Sequence, residues 1–482
     1  MALEQATTQQ ALAGSARVDI TPSWPVMQGG YGQRTTPSTG ILDQLHAKAL
    51  YLRSGDEALL VITADLIAIP GQLARPVLDA VAARTGLEPR QICICASHTH
   101  SGPLPYGPVD APGVADYTVF LQEALIEVAL AARADPRPCR IGTGVGTVDV
   151  FRNRRTRWEP NIVDPRVAVL TVHELADPRP TTVLFGVGCH PVTLGWDNMG
   201  LSGDFPGVAQ RRIEAELGVG EALFFNSTEG NVVPATSPNR NSLDPRGYLG
   251  GTYADAEHIG ATIADEVVRV ARSIEPSVDL RIGSARRDLT LAPNNAEFDL
   301  PTAEQRLAGA HQVLVEVLGA DFEARAGRHL WALASEHVVA TDCSEDEMRR
   351  LMIAVCQHLG LTARVAHGKA LDPVGVPVQV LRINELELLA LPGEVLVEVG
   401  QEWSARTANP AAFVVGLANG HLRYLPRQSQ FAEPDADEHY ETVTAGLAPS
   451  GVERALDAAT EMLPLVRSAA AASTSSSDAE PV

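Results

Sequence analysis

Short apolar runs alternate with amphipathic stretches along most of this chain. Residues 59–69 and 92–95 are almost entirely apolar and are followed by turn-forming residues, which predicts buried strands. Residues 72–85 and 117–133 carry apolar side chains every three or four positions, which predicts helices that bury one face. A strand–helix–strand order of this kind predicts an α/β core.

The same patterns continue toward the carboxyl end. Further strands are predicted at residues 140–150, 167–174, 182–189, 222–225, 376–391 (as two strands) and 413–417, and further helices at 208–217, 254–274, 395–406 and 457–467. Residues 301–359 have a helical pattern with few β-branched runs. We therefore expect one domain over residues 16–468, with a helical insertion at about 300–365.

Three segments outside this pattern have their own expected roles. Residues 1–15 are predicted to be a flexible arm, and residues 469–482, rich in Ala and Ser, a disordered tail. Residues 28–32 (Gln-Gly-Gly-Tyr-Gly) match neither the dinucleotide-binding nor the P-loop pattern. Their glycines are expected to allow a close approach of the backbone near a site.

The charge of the chain narrows the choice of partners. There are 38 Lys and Arg against 59 Asp and Glu, a formal net charge of −21. Nucleic acids and anionic membranes bind basic surfaces, so we expect neither as a partner. The chain contains no apolar run of the roughly 18–20 residues that span a membrane, and residues 1–15 lack the features of a signal peptide. Cys93, Cys95 and Cys189 lie in apolar runs and are expected to be buried free thiols, which fits a cytoplasmic location best.

Histidines supply the first candidate chemistry. Alternation along an extended chain would place His98 and His100 on one face at the end of a strand. Other polar residues that follow predicted strands are His190, Glu394 and Tyr424. Ligand sites in open α/β sheets lie outside the carboxyl ends of strands, and two histidines with a carboxylate and an open position form many hydrolytic zinc sites. Residues this dispersed are not diagnostic by spacing alone, so a zinc site is a hypothesis at this point.

Several segments together carry a resemblance to a known family. The sequence Ala-Ser-His-Thr-His-Ser-Gly-Pro at 96–103 closely resembles the signature of the neutral/alkaline non-lysosomal ceramidases, which are zinc-dependent amidases. Other segments that match the family in order lie at 153–154, 188–192, 202–207, 391–394 and 416–424. The resemblance extends from about residue 17 to 463. It implies an α/β fold with a large mixed sheet flanked by helices.

The resemblance also implies roles for individual residues. The zinc ligands it implies are His98, His190, Glu394 and Tyr424. His100 would be a catalytic acid/base, with direct ligation of the metal or orientation of a neighbour as the alternatives. Arg154 would contact the substrate or its oxyanion, and Tyr440 would donate a hydrogen bond to a substrate oxygen. Asp204 would either hold a ligand histidine or cap a loop. His421 is interpreted as a turn residue.

The chain departs from the family at a serine. Ceramidases carry this serine, with a nucleophilic or positioning role, in a segment that corresponds to residues 230–234, and Val233 occupies its place here. Either Asn231 or Thr228 takes over a positioning role, or metal-activated water suffices for the reaction. The chain also ends soon after its last core helix, whereas ceramidases continue into a β-sandwich-like domain. We therefore expect a small soluble substrate rather than ceramide in a membrane.

These observations lead to one functional hypothesis and two alternatives. The hypothesis is zinc-dependent hydrolysis of an amide (N-acyl) bond by metal-activated water. Cleavage of an ester, lactone or glycosidic bond on the same scaffold is the first alternative, and a non-catalytic binding protein is the second. The four arginines within residues 152–157 would either be ordinary surface charges or attract an anionic substrate group. The oligomeric state does not follow from the sequence.

Overall fold

The computed structural model describes residues 10–108, 110–155, 161–237, 243–294, 300–327, 329–367, 372–433, 436 and 439–475. The strands in these ranges are β1 (Leu12–Asp19), β2 (Gly40–Ile41), β3 (His46–Ser54), β4 (Glu57–Ala64), β5 (Ile92–Ala96), β6 (Arg137–Thr147), β7 (Phe151–Asn153), β8 (Arg166–Glu174), β9 (Pro180–Val187), β10 (Gly200–Leu201), β11 (Glu221–Asn226), β12 (Val232–Pro234), β13 (Ile282–Leu291), β14 (Val374–Ile383), β15 (Leu386–Ala390), β16 (Glu394–Val395), β17 (Ala412–Val415) and β18 (Tyr424–Leu425).

Helices alternate with these strands and also form one separate group. They are α1 (Gly71–Thr85), α2 (Val114–Ala134), α3 (Asp204–Leu217), α4 (Tyr253–Ser273), α5 (Leu300–Leu318), α6 (Phe322–Ala326), α7 (Leu330–Thr341), α8 (Glu345–His367), α9 (Val397–Thr407), α10 (Gln428–Phe431), α11 (Tyr440–Val443) and α12 (Gly451–Ser475). In the described ranges, every helix falls short of the combined length and apolar character that crossing a bilayer requires.

The core is built on an eight-stranded mixed sheet with the order β11-β9-β8-β6-β1-β3-β4-β5. The pairs β4–β5 and β9–β11 are parallel, and the other neighbours are antiparallel. Alternation along each strand sends its side chains to opposite faces. Ala49 and Tyr51 of β3 belong to the core that includes α1 and α2. Leu50 and Leu52 belong to a core on the other face.

That other face packs against a second sheet with the order β13-β14-β15-β17. Leu170 and Leu184 of the large sheet share a buried cluster with Leu388 and Phe413 of the small one. Helices α9 and α12 cover the outer face of the small sheet. Trp403 of α9 is buried in this contact. The layers are therefore helices, large sheet, small sheet and helices, which agrees with the predicted α/β class and mixed sheet.

Helices α5–α8, here called the cap, occupy the segment in which the sequence predicts a helical insertion. They have a hydrophobic core of their own that includes Leu314, Phe322, Val338, Leu351 and Val355. The cap thus folds around its own apolar residues rather than extending a sheet.

The ends of the domain are more ordered than the sequence predicts. Strand β1 begins at Leu12, inside the expected flexible arm, because residues 12–19 pair along their whole length with β3. Helix α12 continues to Ser475, into the expected disordered tail, whereas residues 1–9 and 476–482 lie outside the described residues. The Ala-rich composition of residues 468–472 explains the helix, since alanine has the highest helix propensity.

One further strand was not predicted, and the prediction for the cysteines is confirmed. Strand β13, for which no strand is predicted, pairs over ten residues with β14, and its charged centre (Arg286, Arg287 and Asp288) hides the pattern. Cys93, Cys95 and Cys189 are free and buried, as predicted.

Candidate metal and active site

The predicted ligands lie just beyond the carboxyl ends of four core strands. His98 follows β5 and His190 follows β9, while Glu394 and Tyr424 lie a few residues after β15 and β17. Glu394 and Tyr424 are register partners in the parallel pair β16–β18. The two sheets therefore bring residues that are far apart in sequence to one edge of the core.

The histidine pair reaches this edge by a different route from the one predicted. Strand β5 ends at Ala96, so His98 and His100 lie in the following loop rather than on alternating strand positions. His98 has a left-handed backbone with a φ of 71°. Its amide donates to the carbonyl of Leu66 at 2.8 Å, and the amide of His100 donates to Pro191 at 3.3 Å. Backbone bonds to two neighbouring loops, not β alternation, turn both rings toward the site.

The side chains converge on one buried point. Glu394 Oε2 lies 3.4 Å from His98 Nε2 and 3.2 Å from His190 Nε2. Tyr424 Oη lies 3.4 Å from His190 Nε2, and His100 Nε2 lies 3.3 Å from His98 Nε2. One ring nitrogen from each of the three histidines lies within 4.8 Å of the other two, and this buried group can hold a metal ion.

The hydrogen bonds of His98 and His190 indicate which ring nitrogens carry the protons. His98 Nδ1 lies 2.7 Å from the carbonyl oxygen of Ile67, and His190 Nδ1 lies 2.6 Å from that of Glu229. A carbonyl only accepts, so both Nδ1 atoms carry the proton and both Nε2 atoms present a lone pair when the rings are neutral. These lone pairs face the Glu394 carboxylate, which is also only an acceptor. A cation among the three groups would satisfy all of them, and neutral imidazoles with a carboxylate and a phenol fit zinc.

The electrostatics of His190 and Glu394 favour a neutral ring and an ionised carboxylate. Burial, followed by the Arg154 charge, lowers the pKa of His190 to about 3, so its ring is neutral near pH 7. Burial acts to raise the pKa of Glu394, but His98, His190 and His421 outweigh it and bring that pKa well below its usual range. An ionised carboxylate beside a neutral imidazole is the combination that binds a divalent cation.

His421 belongs to this cluster, although the sequence favoured a turn residue. Its Nε2 lies 3.2 Å from Glu394 Oε1, and the residue lines the same cavity. Its side chain is 23% exposed, so it approaches the carboxylate from the solvent side. The only signal in the sequence is its position three residues before Tyr424.

His100 differs from the other two histidines in how its ring is held. In the described part of the chain its buried Nδ1 has no hydrogen-bond partner, so no carbonyl fixes its tautomer. The ring packs edge-on against Tyr31, with centroids 4.8 Å apart. Gly30 lies so close that a Cβ there would be 2.6 Å from the His100 ring. The glycine-rich loop therefore allows the close backbone approach that the sequence predicts.

Arg154 is buried within the site and makes four polar contacts. Its Nε lies 3.1 Å from Glu441 Oε1, and its Nη2 donates to Tyr424 Oη at 3.0 Å. It also donates to the Gly230 carbonyl and to the Tyr248 hydroxyl, at 2.9 and 3.2 Å. The guanidinium is thus positioned against the phenol oxygen of a predicted ligand.

The other arginines of the 152–157 segment lie elsewhere. Arg155 forms an ion pair with Glu433 at 2.6 Å, and Arg152 donates to the Ser237 carbonyl. Arg157 lies outside the described residues. Of the described arginines in this segment, Arg154 lines the cavity and the other two do not.

A cavity of about 450 Å³ connects the cluster with the surface. His98, His100, Glu394 and Tyr424 line it, and Tyr106 and Leu359, which are 45% and 54% exposed, lie on its wall. The wall also includes Trp331, Val355 and Leu359 of the cap and the apolar residues Ile67 and Leu104. The site is therefore open to solvent and has a largely apolar entrance.

Tyr440 lines this cavity. Its ring packs edge-on against Tyr424, with centroids 5.3 Å apart, and stacks on Trp331 at 6.2 Å. Burial raises the pKa of its phenol, so it is a hydrogen-bond donor at neutral pH.

The structure does not bring the remaining predicted residues to the cavity. Asp204 accepts hydrogen bonds from the Thr193 hydroxyl and from the Leu194 amide at 3.1 Å, so it caps the loop after His190 and contacts no histidine ring. Burial raises its pKa to about 6.

Asn231 and Thr228 are also outside the cavity wall. Asn231 donates to Glu398 and accepts from the Val397 amide at 2.9 Å, which holds the start of α9. Thr228 packs against Gly188 and Gly400. We assign neither residue a contact with substrate. Val233 is fully buried in a small apolar cluster with Tyr31 and Val192, so no hydroxyl replaces the family serine at that position.

Comparisons with known proteins address the fold. No family model matches the sequence. A neutral ceramidase from Pseudomonas aeruginosa has a similar structure, with a TM-score of 0.67 and 18% identity over 95% of this chain and 75% of that one. A ceramidase complexed with C2 gives a TM-score of 0.65 and 18% identity, over 98% of this chain and 77% of that one. Over nearly its whole length, this chain has the neutral ceramidase fold.

Proposed function

We propose that this protein is a zinc-dependent hydrolase that cleaves the amide bond of a small N-acyl substrate. The observation that carries the proposal is the meeting of His98 Nε2, His190 Nε2 and the Glu394 carboxylate at one buried point, with Nδ1 of both rings facing backbone carbonyls. The solved structures with the same fold are ceramidases, which supports hydrolysis at an N-acyl bond.

In this proposal the metal ligands are His98, His190, Glu394 and Tyr424. Burial and the Glu394 charge raise the pKa of Tyr424 well above its usual range, against the lowering effect of Arg154, so the phenol would lose its proton only on binding the metal. The hydrogen bond from Arg154 to Tyr424 Oη would then stabilise the phenolate. A zinc ion at this position would polarise a substrate carbonyl and lower the pKa of water, which supplies the nucleophile at neutral pH.

His100 is the proposed acid/base. The rings of His98 and His190 are fixed by carbonyls, but the Nδ1 atom of His100 has no such partner among the described residues, which leaves its protons free to move. Burial, together with the neighbouring His98 and His190, lowers the pKa of His100 well below its usual range, so the ring is neutral near pH 7. It would take a proton from the attacking water and deliver one to the leaving nitrogen.

Arg154 and Tyr440 are the proposed stabilisers of the developing negative charge. Both line the cavity next to Tyr424, and both are donors at neutral pH. Donors that are already oriented toward a developing oxyanion contribute strongly in a site with little water.

Direct attack by water fits the side chains that line the cavity better than a covalent mechanism. Val233 offers no nucleophile, and Asn231 and Thr228 lie outside the wall. Burial raises the pKa of the Cys356 thiol, which does line the cavity, to about 12, so it is not a nucleophile near pH 7.

The side chain of Arg423 indicates a charged group on the substrate. Arg154 is paired with Glu441, whereas in the described ranges Arg423 has no acidic partner and faces the same cavity. Guanidinium groups bind carboxylates in bidentate geometry. We therefore expect the substrate to carry a carboxylate near the scissile bond, as an N-acyl amino acid does.

A substrate panel tests the proposed function. Zinc-loaded protein should hydrolyse N-acyl amino acids faster than N-acyl amines with the same acyl group, and a chelator should abolish both reactions. Arg423→Gln should reduce kcat/KM for the carboxylated substrates about tenfold and leave the N-acyl amines unaffected. Turnover of esters, lactones or glycosides with none of amides would overturn the amidase assignment. Equal rates on the two amide series would overturn only the role of Arg423.

A further inference from the structure

A second cluster of metal-binding side chains lies on the cap, outside the cavity. His311 of α5, Glu323 of α6 and His358 of α8 approach one another from three helices. Glu323 Oε1 lies 3.8 Å from His311 Nδ1 and 3.9 Å from His358 Nε2. One ligand atom from each residue lies within 4.8 Å of the other two.

The packing under this cluster holds both imidazoles. The ring of Phe322, which is only 1% exposed, lies 5.4 Å from the His311 ring and 5.7 Å from the His358 ring. The two imidazoles are nearly parallel, with centroids 6.2 Å apart and an angle of 29°. A buried aromatic floor therefore presents two histidines to solvent beside a carboxylate.

The three side chains differ in their exposure to solvent: one is mostly buried and the other two are open. The His358 side chain is 15% exposed, and its Nδ1 is buried without a hydrogen-bond partner in the described part of the chain. His311 and Glu323 are 48% and 63% exposed, so an ion can enter from solvent.

The distances are close to those of a bound site. Zinc bonds to histidine nitrogen and carboxylate oxygen are roughly 2.0–2.2 Å, which puts tetrahedral ligand atoms about 3.4 Å apart. The observed separations from Glu323 exceed this by a few tenths of an ångström. Rotation of the exposed Glu323 side chain shortens its own two distances, and the two imidazole nitrogens, which lie within 4.8 Å of each other, would move together on binding an ion. Three protein ligands leave the fourth position to water.

We propose that His311, Glu323 and His358 bind a divalent transition metal of the zinc type, in addition to the ion of the proposed active site. The ion ties α5, α6 and α8 together. Because Val355, Cys356 and Leu359 of α8 line the substrate cavity, this bond stiffens one wall of that cavity.

Metal content per chain tests the proposal. Purified protein, loaded with zinc and freed of excess metal, should hold two ions. The double variant His311→Ala/His358→Ala should hold one, and His337→Ala, a change elsewhere on the cap, should hold two. The cap variant should also unfold at a lower temperature with zinc present and at the same temperature as wild type after chelation.

A second double variant separates this proposal from the proposed function. His98→Ala/His190→Ala should keep one ion, on the cap, and titration of that variant with Co²⁺ should give the visible absorption of a tetrahedral site. Equal metal content in the wild type and the cap variant would overturn the cap site. Equal metal content in the wild type and the His98→Ala/His190→Ala variant would overturn only the active-site assignment.

Discussion

Three histidines at one point have different environments, and this difference separates their proposed roles. Backbone carbonyls hold Nδ1 of His98 and His190, which directs the Nε2 lone pairs at Glu394. His100 lies next to them without such a restraint on its Nδ1 among the described residues. A fixed tautomer suits a metal ligand, and a free one suits proton transfer.

Substitution of the histidines should therefore have distinct effects. We expect His98→Ala to lose both the active-site metal and turnover. His100→Gln should keep that metal and lower kcat by about 10²–10⁴-fold, the usual contribution of a general acid/base. Metal analysis together with steady-state kinetics measures both quantities.

The exposed His258→Gln on α4 is the control for these variants and should behave as wild type. If His100→Gln lost the metal along with activity, His100 would be a ligand rather than an acid/base.

Arg154 should contribute to stability as well as to function. Its ion pair with Glu441 is almost fully buried, with side chains 2% and 1% exposed. Arg154→Met leaves that carboxylate without its cation, so we expect the free energy of unfolding to fall by about 3–5 kcal/mol. Urea denaturation measures this loss. Arg154→Met/Glu441→Leu should recover part of it.

Arg269→Met supplies the comparison for a surface pair. Arg269 is 64% exposed and bonds Glu266, so its loss should lower the free energy of unfolding far less than the loss of the buried pair does. A cost for Arg154→Met as small as this would show that the buried pair does not stabilise the fold.

The residues that sequence reasoning identified are those with a strong local pattern. His98, His190, Glu394 and Tyr424 each follow a recognisable strand or turn, and the structure brings all four together. The sequence left the two roles of Asp204 open, and its hydrogen bond with Thr193 favours loop capping. The place of His421 depends on a contact with Glu394, 27 residues away. A single sequence carries no local signal for such contacts.

At the scale of elements, loops rather than strands position the histidine pair. Strand β5 stops at Ala96, and His98 has a left-handed backbone rather than the extended one that alternation requires. Periodicity predicted the strand correctly but not the residue at which it ends. Strand β13 was missed because the charges at its centre interrupt the apolar pattern.

The glycine-rich loop, residues 28–32, packs against the cap through Gly32. A Cβ on Gly32 would lie 1.7 Å from Trp331 Cδ1, so only glycine lets the cap pack at its present distance. Gly32→Ala should displace Trp331, which stacks on Tyr440, and reduce kcat/KM by roughly 10–100-fold, since small displacements in a site are costly. Steady-state kinetics measure this loss of kcat/KM, and metal analysis should give the same metal content as in the wild type.

A second substitution checks the physical cause. In a Trp331→Ala background the clash is absent, so Gly32→Ala should have little additional effect. Gly309→Ala on α5 meets no neighbouring atom and should be neutral or slightly stabilising. A Gly32→Ala variant with wild-type kinetics would contradict the role of the contact between loop and cap.

At the scale of the whole molecule, two sheets and a cap meet at one cavity. The large sheet supplies His98 and His190, the segments after the small sheet supply Glu394 and Tyr424, and the cap closes part of the wall with Trp331. The sequence predicted the α/β class and the helical cap from periodicity. The stacking of a second sheet on the first did not follow, because apolar strands with both faces buried give no sign of which sheet they join.

The central claim is that one metal ion joins these parts. Anomalous diffraction at the zinc absorption edge, from crystals of the zinc-loaded protein, tests it most directly. We predict a peak bonded to His98 Nε2, His190 Nε2, Glu394 and Tyr424 Oη at distances of about 2.0–2.2 Å. A zinc-loaded crystal with no anomalous peak among these four side chains would contradict the account.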